Sequence, residues 1–110
     1  MIESDWDWCY FGTREVRLAR SWAADGGIAV HENIWRSRGR RTAHLLGPDE
    51  DVLIRAALLL GCHSHWIQRT RTIHFDLVGP YLHRALSLCG VDPLIGTVQR
   101  FHGVPDVPER

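Results

Sequence analysis

Residues 42–61 read TAHLLGPDEDVLIRAALLLG, and this stretch decides the fold class. Its first five residues form a short apolar segment, which is typical of a buried strand. Gly47 and Pro48 then lead into three consecutive acids, and these features favour the start of a helix. Gly61 closes the apolar part and is typical of the residue that follows a helix end. We therefore predict a strand over residues 42–46 and a helix that ends near Leu60.

The segments on either side continue this alternation of strands and helices. Turn-forming residues, such as Asp25-Gly26-Gly27, separate them. The alternation predicts an α/β fold, here a small two-layer sandwich of three to four short strands and two main helices. The further predicted elements are a helix from Thr13 to Ala24, strands at Ile28–Glu32, His65–Gln68 and Val98–Phe101, an extended segment at Ile73–Asp76, and a second main helix from Pro80 to Gly90.

The chain has 110 residues, which is enough for one domain with its own core. We expect residues 28–102 to form this single α/β domain. Residues 1–12 mix acids and aromatics without a clear period, so residues 1–27 are expected to be an N-terminal extension that packs on the core. Residues 103–110 are expected to be a loose tail.

Charge and composition argue against several function classes. All 13 basic residues are Arg, and 13 acidic residues balance them, so the formal net charge is zero. A neutral chain argues against a dedicated nucleic-acid coat and against a polybasic membrane binder. The longest apolar stretch, residues 56–62, is far too short to span a membrane, and we expect no membrane partner.

Cysteine and tryptophan content bears on location and assembly. Cys9, Cys62 and Cys89 include no Cys-x-x-Cys pair and predict free, buried thiols in a reducing compartment. The acidic N-terminal residues lack the basic region of a secretory signal, so a cytoplasmic location is expected. Five Trp would leave apolar surface exposed in so small a monomer, and a homodimer would cover it.

Polar side chains gather where the predicted strands end. Ligands of open α/β sheets bind outside the carboxyl ends of strands, so these side chains are a candidate site. The residues concerned are His31 and Glu32, His44, Gln68, and His74 with Asp76.

Three of these residues are predicted to be catalytic: His44, His74 and Asp76. His74 and Asp76 occupy alternate positions and can share one face of an extended segment. A carboxylate beside an imidazole fixes its tautomer and suits it to acid or base chemistry near neutral pH. In the alternative interpretation, Asp76 only caps the following helix and His74 only packs.

Arginine forks suit the binding of a carboxylate or phosphate group. Four of them lie within residues 36–41, where the alternatives are a solvated loop or contacts to a nucleic-acid backbone. Trp66 and Gln68 could instead pack in the core and satisfy backbone groups. The predicted ligand-binding residues are Glu32, Arg38, Arg40, Trp66, Gln68 and Arg84.

A metal site built on His63 and His65 needs further ligands, such as His44 or Asp76. Neighbouring histidines in loops are more often metal-free, so we predict no metal and no cofactor. The sequence also contains no phosphate-binding loop, dinucleotide fingerprint or Gly-x-Ser-x-Gly motif.

One run of short motifs resembles a known family over residues 28–91, namely the domain of unknown function 4031 family. Two positions depart from its pattern: His31-Glu32 stands where the family has paired acids, and His83 stands where it has Lys. The resemblance therefore implies for this chain no role that would need both acids, and it implies no activity. The matching elements are Trp35 to Arg40 with Gly39, His44-Leu45, Asp49-Glu50, Trp66-Ile67-Gln68, His74-Phe75-Asp76, His83-Arg84 and Gly90.

Two functions fit these features. The first is a small cytoplasmic enzyme that performs His/Asp acid–base chemistry on an anionic small ligand, such as a phosphorylated one, for example in a biosynthetic pathway. Here Arg38 and Arg84 would hold the negative group, and Gln68 would orient the ligand. The second is a non-catalytic module that binds a protein or nucleic-acid partner through the Arg loop and the Trp-rich N-terminus.

Overall fold

A mixed sheet of five strands lies at the centre of the structure, a computed structural model that describes residues 4–92. The predicted α/β class is confirmed. The predicted strand at 98–101 and the tail at 103–110 lie outside the described residues. The elements are β1 Trp8–Phe11, α1 Val16–Ala24, β2 Ile28–Glu32, β3 Ala43–Leu46, α2 Glu50–Leu59, a 3-10 turn Ser64–Trp66, β4 Gln68–Arg69, β5 Ile73–Leu77 and α3 Gly79–Leu88.

The strand order across the sheet is β1-β2-β3-β5-β4. β1 and β2 are parallel, and α1 makes the crossover between them. The other neighbours are antiparallel. β2–β3 and β4–β5 follow each other directly along the chain, whereas residues 47–72 lie between β3 and β5. Because side chains alternate along each strand, every strand contributes to both faces of the sheet.

The first face of the sheet carries the main core. Helices α2 and α3 pack on it and contribute residues such as Leu53 and Leu86. Large side chains from four strands fill the layer between the sheet and the helices. They are Trp8 and Tyr10 of β1, Ile28 and Val30 of β2, Leu45 of β3, and Phe75 and Leu77 of β5.

The second face is covered only in part. Helix α1 packs on β1, β2 and the near edge of β3 and buries Ala19 and Ala23 against Phe11 and Leu46. No other helix of residues 4–92 belongs to this second cluster. The second face of β3, β5 and β4 therefore stays open, and here the domain has only two layers.

Strand β1 was not predicted, and it explains why the sheet has more than four strands. All four of its residues are buried, because helices cover both faces of this edge of the sheet. A strand that is buried on both faces shows no alternation of polar and apolar residues, so its period is invisible in the sequence. β1 and α1 thus belong to the same sheet and cores as the rest of the described chain.

The strand predicted at His65–Gln68 is wrong in most of its length. Residues 64–66 form a 3-10 turn, in which the Trp66 N–H donates to the His63 carbonyl oxygen. The Trp66 ring packs edge-on against Tyr81 of α3, so it lies beside the main core and not in the sheet. Only Gln68 and Arg69 pair with β5.

Helices α2 and α3 begin and end close to the predicted positions. Asp49 caps α2, and its side chain accepts a hydrogen bond from the Val52 N–H at 2.9 Å. Gly61 and Gly90 follow α2 and α3 with φ of 96° and 79°, in the left-handed region that favours glycine. None of the helices in residues 4–92 has the length and apolar character needed to cross a bilayer.

Candidate functional site

Two histidines and one aspartate meet on the open half of the second face. The His44 Nε2 atom lies 3.4 Å from Asp76 Oδ1, and the His74 Nε2 atom lies 3.3 Å from the same oxygen. The two imidazole rings have their centroids 4.4 Å apart. The structure thus brings together the three residues that the sequence predicts to be catalytic, and we call them the His-His-Asp trio.

The register of the antiparallel strands produces this arrangement. His44 lies opposite Asp76 in the β3–β5 pair and opposite His31 in the β2–β3 pair, and residues opposite each other point to the same face. Gln68 lies opposite His74 in the same way. We expected the polar side chains to converge where the carboxyl ends of the strands meet. This expectation is wrong, because the carboxyl ends of neighbouring antiparallel strands lie at opposite ends of the sheet.

A backbone contact fixes the tautomer of His74. Its Nδ1 atom lies 2.8 Å from the Thr72 carbonyl oxygen. A carbonyl oxygen only accepts hydrogen bonds, so Nδ1 carries the hydrogen and donates it. In the neutral ring the lone pair is then on Nε2, the atom that faces Asp76.

Burial shapes the charge of the other two rings on this face. It lowers the pKa of His44, the neighbouring His74 lowers it further, and the Asp76 carboxylate acts in the opposite direction. Burial also lowers the pKa of His31, whose Nε2 lies 3.2 Å from the Thr13 carbonyl oxygen. Both rings are therefore held toward the neutral form.

A cavity of about 290 Å³ opens beside the trio, between α1 and the turn that joins β4 to β5. Arg20 of α1 and Arg71 of the turn both line it. The Arg20 Nη2 donates to the Thr72 hydroxyl at 3.1 Å and so ties the helix to the turn. Neither guanidinium is ion-paired with a carboxylate of residues 4–92. Within the described residues, the cavity therefore presents two cations that no carboxylate neutralises.

A second recess of about 330 Å³ lies on the other side of Asp76, which lines it together with Trp35 and Arg36. The Trp35 side chain is 76% exposed and the neighbouring Ile34 is 71% exposed. The trio thus separates a histidine-lined cavity from a recess with an aromatic wall.

Glu32 points to the first face, away from the trio. Its carboxylate accepts hydrogen bonds from the Tyr10 hydroxyl at 2.7 Å and from Arg41 Nε at 2.9 Å. Burial raises the pKa of Tyr10, and the Glu32 carboxylate raises it further. Glu32 thus ties β1 and β2 to the start of β3.

The predicted arginines lie apart from the trio. Arg38 and Arg40 are exposed on a tight hairpin between β2 and β3, which Ser37 and Arg40 close by a β-bridge. Arg84 lies on α3, on the opposite side of the sheet, and donates to the Leu60 carbonyl oxygen at 2.7 Å. Neither of the two cavities described beside the trio is lined by Arg38, Arg40 or Arg84.

The remaining two predicted ligand-binding residues divide between the faces. Gln68 lies beside His74 on the open face and donates to the Trp66 carbonyl oxygen at 3.4 Å. Trp66 packs against Tyr81 and His63 on the other side. Only Gln68 is therefore near the trio.

Sequence reasoning missed Arg20 and Arg71 as residues of the site. Arg20 continues a helical row with Arg14 and Arg17, and such rows are most often solvated. Nothing in the spacing indicates that Arg20 of α1 lies beside the β4–β5 turn. Only the parallel crossover through α1 brings Arg20 to that position.

A scan of protein-family models finds no match for this chain, and neither does a search of curated proteins or of solved structures. The resemblance of residues 28–91 to the domain of unknown function 4031 family stays a prediction. The function is inferred from the geometry of the site alone.

Proposed function

We propose that the protein is an enzyme that transfers a proton to or from a small anionic ligand. One observation carries the proposal: His44 and His74 converge on one oxygen of Asp76, on an open sheet face beside a cavity with two unneutralised arginines. Rigid strands position the three side chains, as proton transfer over hydrogen-bond distances requires.

The charge of the cavity supports an anionic ligand. Arg20 of α1 and Arg71 of the β4–β5 turn both line it, and planar guanidinium groups bind carboxylates and phosphates through paired hydrogen bonds. A volume of about 290 Å³ is at the small end of ligand pockets, so the ligand is a small molecule. These two residues replace Arg38 and Arg84 in the role that the sequence suggests.

Each member of the trio has a distinct task in this proposal. His44 and His74 both line the cavity and supply the nitrogen atoms that exchange a proton with the ligand. Asp76 contacts both Nε2 atoms and orients the rings. The Thr72 carbonyl holds His74 in one tautomer.

Binding of inorganic phosphate, measured by calorimetry, tests the anion site. Arg20→Gln and Arg71→Gln should each weaken it about 10- to 100-fold, because a hydrogen bond to a charged group contributes roughly 1.5–3 kcal/mol. Arg17→Gln is the matched control, since this exposed residue of the same helix does not line the cavity. Equal affinity in all three variants would contradict the proposal.

Turnover tests the proton-transfer step. Small carbonyl compounds that carry a phosphate or carboxylate are incubated with the protein in D₂O, and deuterium uptake is followed by proton NMR. For any compound that exchanges, His74→Ala should slow uptake by about 10²–10⁴, the usual contribution of a positioned acid or base. Unchanged uptake in a folded His74→Ala protein would rule out this role.

A second function has one observation in its favour, the exposure of Ile34 and Trp35 beside a hairpin with three exposed arginines. Exposed Trp and Arg anchor interfaces, so this hairpin fits a non-catalytic module that binds a protein or nucleic acid. A contact between the partner and the Trp-rich N-terminus has less support, because Trp8 is buried in the core.

Binding of single-stranded oligonucleotides at low salt tests this second function. Trp35→Ala and Arg38→Gln should each weaken binding, and affinity should fall as salt rises if phosphate contacts dominate. Arg55→Gln, a change of an exposed arginine on α2, is the control. No oligonucleotide binding at low salt would remove the nucleic-acid version.

A further inference from the structure

We propose that the His-His-Asp trio binds one divalent metal ion of the zinc class, through Nε2 of His44, Nε2 of His74 and a carboxylate oxygen of Asp76. The three ligand atoms all lie within 4.8 Å of one another. Two imidazoles and one carboxylate are a ligand set that zinc and similar transition metals use in catalytic sites.

The distances within the trio fit a shared ion better than direct hydrogen bonds. Charged N–H···O hydrogen bonds measure about 2.7–2.9 Å, whereas the two Nε2–Oδ1 separations are 3.4 Å and 3.3 Å. Zinc bonds to nitrogen and oxygen of about 2.0–2.2 Å, in tetrahedral geometry, place neighbouring ligand atoms about 3.4 Å apart. The two separations from Asp76 Oδ1 match that edge length, and the two histidine nitrogen atoms lie within 4.8 Å of each other.

The tautomer of His74 also supports a metal ion at the trio. Its Nδ1 donates to the Thr72 carbonyl oxygen, so the neutral ring turns a lone pair toward the Asp76 carboxylate. Two acceptors that face each other repel unless a positive charge lies near both. A backbone carbonyl on the far nitrogen is also the usual outer contact of metal-bound histidine.

The residues around the trio leave coordination positions of the metal ion open. His31 does not complete the ligand set, because its Nε2 contacts the Thr13 carbonyl oxygen and its ring centroid lies 6.3 Å from that of His44. His44 and His74 line the cavity, and Asp76 lines the second recess, so solvent can reach the trio, as in catalytic zinc sites that keep one position for water or substrate.

The inference rests on the proposed function in one respect, because both place the reaction at the trio. A water held by the ion, whose pKa falls to about 7 on zinc, would then carry the proton in place of an imidazole. Asp76 is the only carboxylate of the trio, so a divalent ion leaves the site positive, and the anionic ligand restores the charge balance.

The test uses the full-length protein freed of metal by a chelator and then dialysed. Zn²⁺ is titrated by calorimetry, and Co²⁺ by its visible absorption, which reports the coordination geometry. One equivalent should bind, with a tetrahedral or five-coordinate cobalt spectrum. His44→Ala and Asp76→Asn should each weaken binding at least about 100-fold, with folding checked by circular dichroism.

His63→Ala is the matched control, because His63 belongs to the other close histidine pair, with His65, and should leave the affinity unchanged. Zinc binding that survives both trio variants, or no binding at 100-fold excess of metal, overturns the inference. Phosphate is titrated separately in the chelator-treated protein. Phosphate binding through Arg20 and Arg71 without zinc binding overturns the metal site alone, whereas trio-dependent zinc binding without phosphate binding supports it and contradicts the anion site.

Discussion

At the scale of single residues, Arg38 has an unusual backbone conformation. Ser37 and Arg40 exchange two backbone hydrogen bonds of 3.0 Å and 2.9 Å, which closes a two-residue turn. Both central residues have positive φ, 55° at Arg38 and 76° at Gly39. Asn-Gly is the preferred pair for this kind of turn, because residues with a larger side chain are disfavoured in the left-handed region.

Arg38→Asn should therefore stabilise the protein by about 0.5–1 kcal/mol, measured by urea unfolding. Arg36→Asn is the control, since Arg36 lies in the same hairpin without a positive φ. A gain of the same size in both variants would show that the effect comes from the loss of charge and not from the backbone. Arg38 is exposed and does not line the cavity, so Arg38→Asn should leave the phosphate affinity unchanged.

Residue spacing predicted part of the site. His74 and Asp76 were expected on one face because they alternate, and the strand pairing confirms this. Their contact with His44 depends on the register between β3 and β5, which a single sequence does not contain. Arg20 and Arg71 meet at the cavity only through the tertiary structure, so no local pattern could predict them.

At the scale of elements, Arg84 connects α3 to the end of α2. Its Nη1 donates to the Leu60 carbonyl oxygen at 2.7 Å, and its guanidinium lies over the Tyr81 ring. Carbonyl groups at a helix C-terminus lack partners within the helix, and a cation is favourable there. Arg84 thus stabilises the packing of two helices.

Arg84→Met should destabilise the protein by about 1–2 kcal/mol in urea unfolding, because it keeps the aliphatic stem and removes the charged donor. Phosphate affinity should stay at the wild-type value, since the cavity lies on the other side of the sheet. Arg17→Met is the control for stability and should change it by less than about 0.5 kcal/mol. Weaker phosphate binding in Arg84→Met would show that Arg84 contributes to the ligand site.

Elements with strong terminal signals were predictable. The acids at the start of α2, Pro80 at the start of α3 and the glycines that follow both helices identified them, because signals at helix ends are local. β1 escaped detection because both of its faces are buried. The turn at residues 64–66 resembled a strand because Trp66 and Ile67 are apolar, although they pack beside the core and not within the sheet.

At the scale of the whole molecule, β1 holds the two cores together. Tyr10 belongs to the main core, whereas Phe11 belongs to the cluster under α1. The Tyr10 hydroxyl also donates to Glu32. An edge strand that contributes to both clusters cannot be removed without exposing both of them to water.

Deletion of residues 2–12 should therefore abolish cooperative thermal unfolding, measured by circular dichroism and calorimetry. The physical reason is that β2 would lose its parallel partner and α1 would lose Cys9 and Phe11 from the surface on which it packs. Phe11→Ala, a milder change, should keep a cooperative transition and cost about 3–5 kcal/mol. A shortened chain that unfolds cooperatively near the wild-type temperature would show that the rest of the chain folds without β1.

The pairing of β3 with β5 has a consequence for how the protein matures. A slip of one residue between them would send His74 and Asp76 under the helices and turn Phe75 out to water. Strand pairs that join distant parts of a chain form slowly, because the loop between them must close first. Ligand capture by the trio therefore begins only when this pairing is complete, and the rate at which a refolding sample acquires binding reports the formation of the β3–β5 pair.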